Sequence, residues 1–254
     1  MPYFTYNEKN VYYKETGEGI PLLLLHGNTA SSNMFGEVAE EYLPDYKVVL
    51  IDFLGHGQSD RLECFPTDLW FDEALQVIAL IREKGWENVC LIGSSGGAQV
   101  ALNVALEAPE LVNKVVADSF EGEFTLKAFT ENVVEDRAQS KLDQGTRMFY
   151  QFMHGDDWES VVDNDTRAIE EHDRTIGRFF HKPLESFKPQ ILFTGSREDE
   201  FISAVDPDYF DTVYGGMIKK MGHGRIHLFP SGGHPAMLSN AEAFVRLSKE
   251  FLAE

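Results

Sequence analysis

The sequence predicts an α/β protein with a mostly parallel, doubly wound sheet and one helical insertion. The prediction rests on short apolar runs that recur along the chain and on helix-length segments that separate them. Short runs that are apolar on both faces are typical of parallel strands. The chain has 254 residues, 43% of them hydrophobic, which is enough for one domain, or one domain with an insertion, around a sizeable core.

The elements follow one another in a regular order. Residues 3–16 carry Tyr, Phe, Val and Thr on both sides of a turn at Asn7 to Asn10 and predict an antiparallel hairpin. Apolar runs then predict strands at 21–26, 47–52, 88–93, 112–118, 190–195 and 225–229. Between them, helices are predicted at 31–42, 67–84, 97–107, 209–221 and 240–252. This alternation indicates a doubly wound sheet with the hairpin at one edge.

One long stretch, residues 119–188, breaks the alternation because it contains amphipathic helical patterns and no convincing strand. It is far too long for a simple connection between two strands. We therefore predict a core domain formed by residues 1–118 and 189–254, into which residues 119–188 are inserted as a helical cap. An insertion at the carboxyl edge of a parallel sheet lies over the place where ligands bind, so the cap is a candidate lid.

The charge and cysteine content exclude several classes of partner. The 22 Lys and Arg against 42 Asp and Glu give a net charge of −20, so we expect no nucleic-acid surface and no attraction to an anionic membrane. Cys64 and Cys90 are too few for a disulfide framework and form no C-x-x-C motif, so no metal or redox site is predicted. The N-terminus has no signal-peptide pattern, and no apolar run is as long as a membrane span, so a soluble, cytoplasmic protein is expected.

The most informative motif is G-x-S-x-G, formed by Gly93, Ser95 and Gly97 between a predicted strand and a predicted helix. At a sharp strand-to-helix turn the serine backbone is strained and crowded, so the flanking positions need glycine. The alternative is an ordinary glycine-rich turn or a phosphate loop, but neither G-x-G-x-x-G nor G-x-x-x-x-G-K-[ST] fits here. Ser94 is not flanked by glycines at both positions, so Ser95 is predicted to be the nucleophile.

A serine hydroxyl needs a base, and the base needs an orienting carboxylate. After such a turn the acid comes first in the chain and the histidine second. His234 lies between the last predicted strand and the last predicted helix, at the carboxyl edge beside Ser95, and is the predicted base. The other histidines precede Ser95, flank the final strand or lie in the insertion, where a solvated or capping position is usual: His26, His56, His154, His172, His181, His223 and His227.

The acid is expected after the strand at 190–195, where three carboxylates follow one another. Asp199 is the predicted residue and Glu198 is the alternative, because this arrangement accepts either Asp or Glu. A charged run after a strand is by default a solvated loop, and the sequence does not fix the register of this turn.

The reaction also needs donors directed at the developing oxyanion. The backbone N–H of Gly96, which follows the nucleophile, is one candidate. The second is expected in the loop after the first parallel strand, where Gly27 lets the backbone approach closely. We predict the N–H of Asn28 for this role, with Thr29 as the alternative.

Together these segments resemble the α/β-hydrolase superfamily: HGN at 26–28, DFLGHGQS at 52–59, GSSGG at 93–97, G-x-x-x-D at 195–199 and GGH at 232–234. The resemblance implies an eight-stranded, mostly parallel sheet, a helical cap between the sixth and seventh strands, no cofactor, and a triad of Ser95, Asp199 and His234. The family's acid commonly falls three residues after the glycine of its turn, which here is Glu198, so both acids stay open. Serine at position 95, in the strand-to-helix turn, disfavours the members with an Asp nucleophile, such as epoxide hydrolases and haloalkane dehalogenases.

The sequence therefore predicts a serine hydrolase that cleaves a small carboxylic ester through an acyl-enzyme on Ser95. A C–C bond hydrolase, a thioesterase, an amidase or peptidase, and a cofactor-free haloperoxidase share the same triad. A non-catalytic receptor of the same fold and a dinucleotide-binding protein are the alternatives from other classes. The partner is expected to be a small molecule with an apolar part, because aromatic residues are frequent in the insertion: Phe120, Phe124, Phe129, Phe149, Tyr150, Phe152 and Trp158. The sequence makes no prediction of the oligomeric state.

Overall fold

The protein is built around one eight-stranded sheet. The computed structural model describes residues 2–202 and 206–254. The eight strands are β1 (Tyr3–Tyr6), β2 (Lys9–Thr16), β3 (Ile20–Leu25), β4 (Tyr46–Ile51), β5 (Val89–Ser94), β6 (Val112–Asp118), β7 (Gln190–Ser196) and β8 (Arg225–Phe229). Their order in the sheet is β1-β2-β4-β3-β5-β6-β7-β8. The β1–β2 and β2–β4 pairs are antiparallel and the other neighbours pair in parallel. The predicted fold class and the predicted hairpin at one edge are confirmed.

Helices connect the strands at the predicted places. They are α1 (Gly36–Glu40), α2 (Leu69–Lys84), α3 (Gly96–Glu107), α4 (Lys127–Thr130), α5 (Val133–Ser140), α6 (Gln144–His154), α7 (Trp158–Thr175), α8 (Tyr209–Met221), α9 (Ala236–Ser239) and α10 (Ala241–Ala253). The helix predicted at 31–42 is instead a 3₁₀ turn, Ser32–Phe35, followed by the short α1. The break falls at Gly36, whose φ of 36° is outside the right-handed helical region.

The two faces of the sheet are both buried. Side chains alternate along a strand, so Leu23 and Leu25 of β3 face one side while Leu22 and Leu24 face the other. Helices α2, α3 and α8 cover the first face, and α1 and α10 cover the second. This double covering explains why the strands are continuous apolar runs and not alternating ones.

Four helices, α4 to α7, lie between β6 and β7 in the chain, inside the stretch predicted as an insertion. We refer to them as the cap helices. Helix α7 packs against α5 and α6 and also contacts α2 of the core. The division into a core of residues 1–118 and 189–254 and a cap of residues 119–188 stays a prediction. Within the described ranges, every helix is too short or too polar to cross a lipid bilayer.

The strand register places the functional loops together. Leu25 of β3 pairs with Gly93 of β5, and Gly93 pairs with Ala117 of β6. Ala117 in turn pairs with Phe193 of β7, so the parallel strands end at one common edge. The loops after β3, β5, β6, β7 and β8 therefore converge, as expected for the ligand-binding edge of a parallel sheet.

Candidate active site

Ser95 occupies the tip of the turn between β5 and α3 and has a φ of 55° and a ψ of −126°. A positive φ is uncommon for a residue with a side chain, and such strained positions concentrate at functional sites. The flanking glycines are required by close packing. A Cβ at Gly93 would lie 2.0 Å from the Gly97 carbonyl oxygen, and a Cβ at Gly97 would lie 2.0 Å from the Leu25 carbonyl oxygen.

A chain of hydrogen bonds joins the three residues predicted as the triad. The Oγ of Ser95 lies 3.0 Å from Nε2 of His234, and Nδ1 of His234 lies 2.8 Å from Oδ2 of Asp199. Because a carboxylate only accepts, Nδ1 carries a proton and Nε2 is free to accept the serine proton. This is the nucleophile–base–orienting acid geometry that acyl transfer requires.

The turn after β7 directs the two candidate acids to different partners. Asp199 is fully buried, and its Oδ1 accepts the N–H groups of Phe201 at 3.0 Å and Ile202 at 3.1 Å. Those two bonds fix the carboxylate, and its other oxygen faces His234. Glu198 instead accepts the N–H of Gly232 at 3.2 Å. The geometry therefore places Asp199, and not Glu198, beside the histidine.

The charges around His234 favour its protonated form. Burial lowers the pKa of the imidazole, but the hydrogen bond to Asp199 and the charges of Asp199, Asp118 and Glu200 outweigh it, so the net pKa is raised above 6.5. Asp118, at the end of β6, is itself fully buried, and burial raises its pKa to about 6 against the hydrogen bonds from Thr194 and Met237. An imidazole with a raised pKa is a stronger base toward the serine proton.

The alternative nucleophile, Ser94, contacts a different acid from the one that faces His234. Its side chain is fully buried, and its Oγ lies 3.4 Å from Oδ2 of Asp118. Ser95, in contrast, lines a cavity.

The predicted oxyanion donors lie beside Ser95. Asn28, Thr29 and Gly96 all line the cavity with Ser95 and His234. The N–H groups of Asn28 and Gly96 have no acceptor in the part of the chain that the structure describes. The N–H of Thr29 donates to Oδ2 of Asp165 at 3.2 Å, so it is already engaged. The arrangement therefore favours Asn28 over Thr29 as the partner of Gly96.

Thr29 is held in place by three cap helices. Its backbone has a φ of 54°, which is unusual for a β-branched residue. Its N–H bonds Asp165 of α7, its carbonyl accepts Nε2 of His154 of α6 at 3.0 Å, and its Oγ1 accepts Nη1 of Arg137 of α5 at 2.7 Å. We call the set Asp165, His154 and Arg137 the Thr29 clamp.

The clamp histidine is neutral. Burial, followed by the charge of His56, lowers the pKa of His154 to about 3. Its Nε2 donates to Thr29 and its Nδ1 accepts the N–H of Gly57 at 3.1 Å, which fits one neutral tautomer. The insertion histidines were expected in solvated or capping positions. This is wrong for His154 and His172, which are 5% and 0% exposed and hydrogen-bond the carbonyl oxygens of Thr29 and Thr67.

Two histidines of the core lie outside the cavity lining. One of them, His26, contacts the loop after β3 that carries Asn28 and Thr29, here called the oxyanion loop. The Nδ1 of His26 donates to the Gly27 carbonyl at 2.9 Å, and its Nε2 accepts the N–H of Phe53 at 3.2 Å. Burial lowers its pKa well below 6.5, so it is a neutral structural group. His56 is 3.9 Å from both Glu73 and Asp165.

A cavity of about 440 Å³ opens onto Ser95 and is mainly apolar. Four of the aromatic residues expected to form a pocket line it, whereas Phe124, Phe152 and Trp158 do not; the four are Phe120, Phe129, Phe149 and Tyr150. A volume of this size accommodates a small ligand.

The polar residues of the cavity wall were not predicted from the sequence. They include Gln99 of α3, Arg137 of α5, and Glu121, whose pKa burial raises to about 7 against the hydrogen bond from the Leu126 N–H. Gln99 had a usable signal, because it is a polar residue one turn after Ser95 in a mainly apolar helix. Glu121 and Arg137 lie in charged segments with no pattern that separates them from surface residues.

Comparisons with known proteins agree with this fold. The model of the family described as alpha/beta hydrolase fold matches residues 20–155. The chain is 26% identical, over 282 aligned positions, to a 2-hydroxy-6-oxononadienedioate/2-hydroxy-6-oxononatrienedioate hydrolase from Comamonas testosteroni, covering 99% of this chain and 96% of that protein.

Two solved structures share the architecture at low sequence identity. An esterase from Exiguobacterium antarcticum superposes with a TM-score of 0.76 at 18% identity, covering 97% of this chain and 96% of the other. A meta-cleavage product hydrolase from Pseudomonas fluorescens IP01 superposes with a TM-score of 0.73 at 19% identity, covering 97% of this chain and 95% of the other.

Proposed function

The chain belongs to the alpha/beta hydrolase fold family, and from this premise we propose that it is a serine hydrolase that cleaves a small carboxylic ester. In this proposal Ser95 is the nucleophile, His234 is the general base and acid, and Asp199 orients the imidazole. The N–H groups of Asn28 and Gly96 hold the oxyanion. The observation behind the proposal is the continuous hydrogen-bond chain from Ser95 through His234 to Asp199 at a cavity wall.

The reaction proceeds in two halves. The Oγ of Ser95 attacks the ester carbonyl while Nε2 of His234 takes its proton, and the carbonyl oxygen becomes an oxyanion. Collapse of this intermediate breaks the bond between the carbonyl carbon and the alcohol oxygen. That oxygen takes from His234 the proton that came from Ser95, and the alcohol leaves. A water molecule then attacks the acyl-serine with the same base and releases the acid. Each oxyanion donor contributes about 10²–10³ in rate.

The lining of the cavity suggests which substrates fit. Aromatic side chains from α4, from α6 and from the segment after β6 line the cavity, which favours a substrate with an apolar acyl or alcohol part. The net charge of −20 disfavours polyanionic partners such as nucleic acids.

A second candidate is cleavage of a C–C bond next to a ketone. It is favoured by the relative from Comamonas testosteroni, whose name describes a 2-hydroxy-6-oxo acid hydrolase and which is similar over 99% of this chain. The same triad can serve both bond types, so the substrate and not the motif separates them.

The test is turnover of a substrate panel by the wild-type protein and by Ser95→Ala. We expect hydrolysis of short p-nitrophenyl esters by the wild type and none above background by the variant. Ser231→Ala, at an exposed serine of the loop before His234, is the matched control. Cleavage of a vinylogous 1,5-diketone without ester turnover would favour the C–C hydrolase. Stabilisation by ligands without turnover of any panel member would favour the receptor.

A further inference from the structure

Gln99 is a buried polar residue in the wall of the catalytic cavity. It lies on α3, four residues after Ser95, which is about one helical turn. Side chains of a helix lean toward its N-terminus, so that of Gln99 leans toward the turn that carries Ser95. Only 2% of the residue is exposed, yet it is part of the cavity lining.

The amide of Gln99 is unpaired within residues 2–202 and 206–254. Its Oε1 is fully buried and has no hydrogen-bond partner there, and neither does its Nε2. Two donors nearby bond other groups, whereas the Oδ1 of Asn103, one turn further along α3, is buried and also has no partner among the described residues. The indole N–H of Trp70 donates to Oδ1 of Asn28 at 3.0 Å, and Nδ2 of Asn103 donates to the Phe179 carbonyl at 2.9 Å.

Buried polar groups in proteins are almost always hydrogen-bonded, and each exception calls for an explanation. Gln99 is flanked in α3 by Gly, Ala, Val and Leu, with the polar Asn103 one turn further on. An apolar residue at position 99 would pack there without leaving an unpaired amide of its own. We propose that Gln99 is a substrate-binding residue that donates a hydrogen bond to a keto oxygen of the substrate. This inference rests on the proposed function, because the ligand is the substrate that Ser95 attacks.

The polar groups of the cavity wall indicate which kind of substrate oxygen Gln99 would bind. Because Oε1 is fully buried, the Nε2 donor is the end of the amide left to face the cavity, so the partner is an acceptor. An ionised carboxylate would meet the carboxyl groups of Glu121 and Asp136 in the same cavity. The cation of the wall, Arg137, already hydrogen-bonds Thr29 and Tyr150 and lies 3.7 Å from Asp165. An uncharged keto oxygen fits this environment.

The spacing between Ser95 and Gln99 along the chain indicates where this oxygen lies in the substrate. One turn of helix is about 5 Å, so the acceptor is a few bonds from the carbonyl carbon that Ser95 attacks. A 4-oxoacyl ester has this spacing. The matched ester has the same chain length and the same leaving group and lacks only the keto oxygen. Comparison of the wild type with Gln99→Met then isolates the hydrogen bond from the other effects of that oxygen.

The experiment compares kcat/KM for p-nitrophenyl 4-oxopentanoate and p-nitrophenyl pentanoate. Each value is divided by the rate of hydroxide-catalysed hydrolysis of the same ester, which removes the intrinsic effect of the keto group. We expect the wild type to prefer the oxo ester by about tenfold, as one good hydrogen bond allows. Gln99→Met should bring this ratio close to one. Gln190→Met, at an exposed glutamine at the start of β7, is the control and should keep the wild-type ratio.

A normalised wild-type ratio near one, or a Gln99→Met protein that keeps the preference, would overturn the inference. Thermal unfolding without ligand is the second measurement. Gln99→Met should unfold at the same temperature as the wild type or a few degrees higher, because it removes an unpaired buried amide. A fall of several degrees would show that the amide is bonded in the free protein and would also overturn it. Failure of the proposed function would appear differently, as absent hydrolysis of both esters.

Discussion

The triad and the oxyanion loop lie side by side, but different parts of the molecule hold them. Ser95, Asp199 and His234 sit in loops that directly follow strands of the sheet, and their hydrogen bonds to one another stay within the core. Thr29, next to the proposed donor Asn28, is instead fixed by the Thr29 clamp of the cap helices. We infer that the core activates the nucleophile, whereas the cap sets the geometry in which the oxyanion is received.

The largest effect is expected in the core. Asp199→Asn should lower kcat by about 10³–10⁴, because the imidazole loses its orienting carboxylate and its correct tautomer. Glu198→Gln is the matched control, since Glu198 bonds the backbone of Gly232 and not His234. Steady-state kinetics on one ester with the three proteins measures the difference. A larger loss in Glu198→Gln than in Asp199→Asn would move the acid to Glu198.

A smaller effect is expected at the clamp. Asp165→Ala should lower kcat by about 10-fold to 10²-fold with little change in KM, because a displaced oxyanion donor costs less than a lost one. Asp165→Asn keeps an oxygen acceptor for the Thr29 N–H and should recover part of the loss. Asp163→Ala, at an exposed position of the same helix, is the control. If Asp165→Ala raised KM and left kcat alone, Asp165 would bind substrate and not position the loop.

The pH dependence should separate the two regions. General-base catalysis needs neutral His234, so kcat/KM should fall as the pH drops through a pKa above 6.5. Asp199→Asn removes the carboxylate charge that raises the pKa of His234, so this pKa falls. The acid limb, which is the drop in kcat/KM at low pH, should therefore move to lower pH. In Asp165→Ala the limb should stay where it is, because Asp165 is not among the groups that shift His234. Equal limbs in all three proteins would contradict this division.

The smallest effect is expected at Arg61, which contacts the cap helices but makes no hydrogen bond to Thr29 among the described residues. Arg61 donates hydrogen bonds to both carboxylate oxygens of Asp157 and to the His154 carbonyl, the last at 2.8 Å. Because the ion pair is partly exposed, Arg61→Met should lower the free energy of unfolding by about 1 kcal/mol or less. Activity should stay within threefold of the wild type. Denaturant titration and ester kinetics check both values, and a loss as large as that of Asp165→Ala would extend the clamp to Arg61.

The same comparison explains how much the sequence could predict. The strands, the serine turn and His234 were predictable because each depends on local pattern and on chain order. The choice of Asp199 depended on the turn after β7, where the short Asp side chain bonds the N–H groups of Phe201 and Ile202 and a longer Glu would not. Only the three-dimensional fold decides such a register.

The clamp could not be predicted because it joins residues far apart in the chain. Thr29 lies 136 residues from Asp165, 125 from His154 and 108 from Arg137. Amphipathic patterns indicate that the cap is helical, but they do not say which residue of each helix faces the oxyanion loop. The burial of His154 follows from the same packing.

The central claim, that Ser95 becomes acylated through His234, is tested most directly by trapping the intermediate. The protein is mixed with p-nitrophenyl acetate, quenched in acid within milliseconds to seconds, digested and examined by mass spectrometry. We expect one acetyl group on the peptide that contains Ser95, together with a burst of p-nitrophenol, and neither in His234→Ala. An acetyl group on another residue, or turnover with no acylated peptide, would contradict the account.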